Sequence, residues 1–126
     1  STFGGNPLAM RSANAVLDLL LEDDFLKTLR ENITYFDNKM DALINDDDKV
    51  SPVILCKKGS GMLRGFQLTE NVIAGDFGNI SREKGLLLVG AAENTIRLLP
   101  PLNTSKEEID QAFEILSEVV KEIKKN

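Results

Sequence analysis

The last third of the chain constrains the fold most. Ser105-x-x-Glu108 has the spacing of a helix capping box, in which each side chain accepts from the other residue's backbone amide. Ile109, Ala112, Phe113, Leu116, Val119, Val120 and Ile123 then recur in steps of three and four, so one face of the helix is wholly apolar and the other carries the charge. Such a face needs a sheet or other helices to cover it. Upstream, Asn6-Pro7 predicts a helix start, and Ala9, Ala13, Val16, Leu17 and Leu20 predict a helix from Pro7 to Leu21. Asp23 or Asp24 caps a second helix with the stripe Leu26, Leu29, Ile33, Phe36, Met40, Leu43. That stripe is too short for a sustained coiled coil, so it is read as a helix laid on a sheet or a neighbouring subunit.

Between the helices the pattern changes. Val53 to Lys57 and Met62 to Leu68 read as strands around a turn or bulge at Gly59-Ser60-Gly61. Gly59-x-Gly61 lacks the third glycine, the helix and the lysine of a phosphate loop. Asn71 to Lys84 contains Gly75 and Gly78, which predicts a broken helix ending at Gly85. Leu86 to Val89 and Thr95 to Leu98 are predicted strands joined by the turn Ala91-Ala92-Glu93-Asn94 and stopped by Pro100-Pro101. Two helices, a small sheet with a further helical stretch, and a packing helix make an α+β fold: a short antiparallel sheet packed by helices and preceded by a long helical segment. At 126 residues, with 42% hydrophobic, one compact domain with a real core is expected.

Composition removes several functions. The net charge of −5 argues against nucleic-acid binding, which needs a cationic face. Lys121, Lys124 and Lys125 are read as a solvated helix end that complements the helix dipole. With no histidine, the commonest general base and metal ligand is absent. The run Asn45-Asp46-Asp47-Asp48 lacks calcium-loop spacing and is read as a solvated loop that ends the second helix. Cys56 is the lone cysteine, so no internal disulfide can form; it is read as buried packing in a cytoplasmic, reducing setting. No apolar run is long enough to span a bilayer, so no membrane partner is expected. The chain opens inside a glycine-rich loop and without methionine, which suggests a fragment of a longer protein.

Three segments carry a resemblance. Ser1-Thr2-Phe3-Gly4-Gly5-Asn6-Pro7-Leu8-Ala9 resembles the segment that follows the cofactor lysine in class III (fold type I) aminotransferases. Gly85-Leu86-Leu87-Leu88, Asn94-Thr95-Ile96-Arg97-Leu98-Leu99-Pro100-Pro101-Leu102 and Ser105-x-x-Glu108-Ile109-Asp110 resemble the end of the same enzymes, and Gly59-Ser60-Gly61-Met62-Leu63-Arg64-Gly65 is a looser match between them. Phe3 with Gly4-Gly5 points to the acetylornithine/ornithine branch. The resemblance implies the small C-terminal domain of a fold type I transferase that depends on pyridoxal 5'-phosphate (PLP), with residues 1–22 as cofactor-phosphate loop and linking helix and 23–126 as the small domain. It implies a homodimeric parent that transfers an amino group from N-acetylornithine to 2-oxoglutarate in arginine biosynthesis, or from ornithine or another ω-amino acid.

The same resemblance assigns site residues. Thr2, and less strongly Ser1, match the cofactor-phosphate contacts. Arg97 matches the arginine that binds a substrate carboxylate, which a guanidinium does bidentately. From the bare sequence, Ser1-Thr2 is merely a helix-leading loop and Arg97 a structural or strand-end arginine. Arg64 is expected in a surface or interface pair. The family's Schiff-base lysine precedes the position of Thr2, so no catalytic residue is expected in this chain, and alone it should be inactive. A standalone non-catalytic interaction domain is the rival reading.

Overall fold

A computed structural model describes residues 2–47 and 49–125. These divide into two compact units, one up to Glu31 and one from Asn32 on.

In the first unit, α1 spans Pro7–Leu20. The Asn6 side chain accepts from the Ala9 amide at 2.9 Å, and Pro7 sits where no amide is needed. None of the α1 side chains is buried, and Leu8, Val16 and Leu17 are all more than half exposed. The apolar stripe that made this segment a helix is therefore uncovered. Helix α2, Phe25–Asp46, begins in this unit and continues through the division.

The second unit is the α+β domain that the periodicities predict. Strands β1 (Ile54–Ser60), β2 (Leu63–Leu68), β3 (Val89–Ala91) and β4 (Thr95–Leu98) form one antiparallel sheet in the order β1-β2-β4-β3. Phe66 faces Ile96 across β2 and β4, and Leu98 faces Arg64, which sets the parity of the sheet. Phe66, Leu68, Ile96 and Leu98 are buried on one face. With them are buried Phe36, Met40 and Leu43 of α2 and Ile109, Phe113, Leu116, Val119 and Val120 of α4 (Lys106–Ile123). The Phe36 and Phe113 rings meet edge to face at 5.5 Å. Asn32 donates to the Thr104 carbonyl at 2.9 Å and Tyr35 to Asp110 at 2.6 Å, tying α2 to the α4 end of the chain. The Ser105–Glu108 capping box is present with both of its bonds.

Five local expectations are corrected. The segment 71–84 holds an unbroken helix α3, Ala74–Glu83, despite Gly75 and Gly78. Two glycines cost about 2 kcal/mol of helix propensity, which tertiary anchors offset. Phe77 and Ser81 are fully buried, and Asn94, twenty residues on, caps the helix by accepting from the Ala74 amide at 3.1 Å. The strand expected at Leu86–Val89 starts only at Val89, because Leu86 is bound to Ser81 through both its amide (2.9 Å) and its carbonyl (2.8 Å).

The acidic run is not a uniformly solvated loop. Asp47 is 5% exposed and accepts from the amides of Val53 and Ile54, each at 2.8 Å, while pairing with Lys124. So Lys124 is not merely solvated either. Cys56 is half-buried, not buried: a bulge between Ile54 and Cys56 leaves Leu55 outside the ladder and turns Cys56 to the sheet face away from the core, where its thiol donates to Gln67 at 3.6 Å.

Candidate functional site

The turn that precedes α1 is built by Asn6. Its amide and side-chain nitrogen both donate to the Phe3 carbonyl, at 3.4 and 2.7 Å, while its oxygen caps the helix. Thr2 lies exposed in this turn, and the first turn of α1 holds no acidic residue. An exposed hydroxyl beside a helix start without acidic neighbours is chemically compatible with a phosphate. Ser1 lies outside the described residues.

The second candidate, Arg97, belongs to the α+β unit. Ile96 and Leu98 face the core, so Arg97 points to the opposite face with Thr95. Its cross-strand neighbours are Gly65 on β2 and Val89 on β3. Gly65 is required here: a Cβ would lie 2.8 Å from Thr95 Cγ2 and 3.1 Å from the Ile96 carbonyl oxygen. The side-chain-free position next to Arg97 forms the floor of a groove of about 370 Å³, whose walls include Lys58, Leu63, Ala92 and Arg97. No carboxylate among the described residues pairs with Arg97. Across the floor, Lys58 is paired with Glu93, and that bond holds the Glu93 carboxyl below its ordinary range. Glu93 sits at φ 57° in the β3–β4 turn. Its carbonyl accepts from Gln67 at 3.3 Å and Thr95 at 3.2 Å.

Arg64, expected in a surface or interface pair, instead turns to the core side with its side chain 11% exposed. Its Nη1 donates to the Gly59 carbonyl at 2.7 Å and its Nε to the Gly61 carbonyl at 3.1 Å, and it pairs with Asp37 of α2. Lys57 joins Asp37 at 3.0 Å and Asp41 at 2.7 Å, and these bonds, Asp41 first, raise its ammonium pKa. The network pins the β1–β2 turn to α2. Gly59 completes that turn at φ 86°, where a Cβ would meet the Leu63 carbonyl oxygen at 2.2 Å. Strand parity was the available signal: Arg64, Phe66 and Leu68 alternate onto one face.

A larger groove of about 590 Å³ runs between Leu86–Leu88, Pro100–Pro101 and α4. Its one titratable side chain, Glu108, is engaged in the capping box. No group of metal-ligating side chains occurs among the described residues, nor is any described helix long and apolar enough to cross a membrane.

The chain is 40% identical over 119 residues to the acetylornithine aminotransferase of Streptococcus mutans, covering 94% of this chain and 30% of that protein. It is 39% identical over 120 residues to the ornithine aminotransferase of an Exiguobacterium species, covering 95% and 28%. Its structure superposes on the ornithine δ-aminotransferase of Plasmodium falciparum with a TM-score of 0.86 at 28% identity, covering 100% of this chain and 31% of that one. The chain thus spans about 30% of the length of the curated relatives it matches. The model of the family described as Aminotransferase class-III matches residues 1–120, a span that includes both the Thr2 turn and the Arg97 groove, and the chain belongs to that family.

Proposed function

We propose that this chain is the C-terminal part of a PLP-dependent acetylornithine aminotransferase, which moves the amino group of N-acetylornithine to 2-oxoglutarate. The observation that carries the proposal is Arg97: a guanidinium with no carboxylate partner among the described residues, set at the edge of a groove floored by Gly65. In such a place a guanidinium can bind a substrate carboxylate with two parallel hydrogen bonds, fixing orientation as well as charge. Val89 and Leu63 on the same face are more than half exposed, so apolar surface flanks the bound carboxylate.

PLP, when bound, supplies the electron sink for amino-group transfer. This chain's share is to hold the cofactor's phosphate: the Thr2 hydroxyl donates to a phosphate oxygen, with Ser1 as a second contact. Residues 1–22 act as phosphate loop and linking helix and residues 23–126 as the small domain. The uncovered stripe of α1 suits burial against the rest of a cytoplasmic homodimer. Ornithine is the competing amine donor, since relatives of both names match at nearly equal identity.

The test uses the complete aminotransferase that contains this chain. Arg97→Met should raise the KM for 2-oxoglutarate at least about tenfold, since it removes a charge-assisted bidentate contact. N-acetylornithine should be preferred to ornithine by kcat/KM. The isolated chain should retain no cofactor after borohydride treatment, read by mass spectrometry. An unchanged KM in Arg97→Met would remove Arg97 from the site, and a preference for ornithine would reassign the donor.

A further inference from the structure

Arg97 is not the only cation on its face of the sheet. Lys58 on β1 pairs in register with Gly65, and Gly65 pairs with Arg97 on β4. Directly opposed residues of an antiparallel sheet point to the same side. Lys58, Gly65 and Arg97 thus form a row across three strands, with a cation at each end and no side chain between them. Two strand spacings of about 4.8 Å separate the end residues, and both side chains line the same groove. The two ends differ in one respect. Arg97 has no carboxylate partner among the described residues, whereas Lys58 is held by Glu93.

We infer that Lys58 is the second cation of the Arg97 carboxylate site, and that Glu93 is its resident counter-ion, displaced when a substrate carboxylate lies over Gly65. The inference rests on the reading of Arg97 as a carboxylate binder and adds to it a specificity-determining residue. A carboxylate offers about four lone-pair positions, so a bidentate arginine leaves room for an ammonium on the same group. The exchange is inexpensive. The Lys58 and Glu93 side chains are 38% and 70% exposed, and exposed ion pairs contribute little. The Glu93 backbone stays in place without Lys58, because its carbonyl is bound by Gln67 and Thr95, while its exposed carboxylate turns to water once Lys58 releases it. The groove thus selects for a carboxylate able to take both cations, over a neutral oxygen ligand that would leave Glu93 paired.

The experiment measures the dissociation constant of glutarate, a non-reacting dicarboxylate, by calorimetry on the complete aminotransferase and its variants. Lys58→Met should weaken glutarate binding about five- to tenfold, and Glu93→Gln should tighten it about two- to fivefold by freeing Lys58. The double variant should match Lys58→Met alone, since Glu93 acts through Lys58. The opposite signs are the decisive feature, because a merely structural ion pair loses with either change. Lys58→Arg, which keeps the charge, should restore most of the affinity and checks that Lys58→Met is folded. Equal or same-direction shifts for Lys58→Met and Glu93→Gln, with Arg97→Met still abolishing binding, would overturn this inference and leave the Arg97 reading standing. No effect of Arg97→Met would overturn both.

Discussion

Replacing Asp47 with alanine tests the account of how the long helix turns into the sheet. The Asp47 side chain accepts from two buried amides, Val53 and Ile54, and neutralises Lys124 at the end of α4. Alanine leaves both amides without that acceptor. An orphaned buried donor costs about 1–3 kcal/mol. Partial hydration from the exposed neighbours Lys49 to Ser51 lowers the sum, so the expected loss is about 3 kcal/mol. Lys124 adds little, because it is partly exposed and can turn to water. Both amides bond the same carboxylate oxygen, so Asp47→Asn, which keeps one acceptor oxygen, should lose less than alanine. Urea unfolding followed by tyrosine fluorescence is the assay, since Tyr35 is the sole tyrosine, there is no tryptophan, and it lies in the α+β unit. With a slope of about 1.5 kcal/mol/M for a domain of this size, the alanine midpoint should fall by about 2 M with the slope unchanged. A fall under about 0.5 M would mean that water replaces the carboxylate at little cost, and the capping argument would be refuted.

Two further perturbations address the α2–α4 contact and the α3 cap. The bond to Asp110, then partial burial, raises the pKa of Tyr35 above its ordinary 10.0, so the contribution of this contact is complete below that value and lost as pH rises through the folded one. Absorbance at the tyrosinate band should give a midpoint above 10.0 in the native chain and a lower one in Asp110→Asn; coincident midpoints would show that the bond does not form in solution. On the acid side Lys39, then Tyr35, lowers the Asp110 pKa below 3.8, so its contribution is present above that value and lost as pH falls through the folded one. Asn94→Ala removes the acceptor at the Ala74 amide and places alanine at φ 50°, so amide exchange over Ala74–Gly78 should accelerate while that of Phe113–Val120 stays protected. Unchanged exchange at Ala74 would mean that α3 holds without its remote cap.

Helix α4 was legible because its determinants are local: the capping box lies within four residues and the stripe within one helix. Helix α3 was not, because its cap comes from Asn94 and its anchor from the Ser81–Leu86 bonds. The acidic run concealed Asp47 for a similar reason. The sequence presents neighbouring aspartates as equivalent, and the path from α2 into β1 singles out the one whose oxygen meets two amides. For Arg97, strand alternation revealed which way it points, while its role came from the family resemblance. The absence of a side chain at Gly65 mattered only once the register set that glycine beside Arg97. Lys58 escaped notice because nothing in a linear sequence relates it to a residue 39 positions away (97 − 58).

The β3–β4 turn joins these separate observations. Glu93 and Asn94 both hold positive φ, at 57° and 50°, a conformation that asparagine tolerates and glutamate adopts at some cost. Their side chains then leave the same turn toward different tasks. Asn94 donates to the Thr69 and Val72 carbonyls, at 3.0 and 2.7 Å, and caps α3, which packs on the core. Glu93 reaches over the sheet to Lys58 at the rim of the Arg97 groove. A glycine pair would form the turn with less strain but would leave the α3 amide without its cap and Lys58 without its counter-ion. The strain is therefore offset by seven hydrogen bonds or ion contacts that meet at two adjacent residues: three to the Asn94 side chain, one to the Asn94 carbonyl, two to the Glu93 carbonyl and one to its carboxylate. Because the ladder continues from Thr95 straight into Arg97, this over-determined turn also fixes where the guanidinium-bearing strand begins. The strand itself is laddered on both sides, to β2 and to β3, and the turn sets the point from which that register runs.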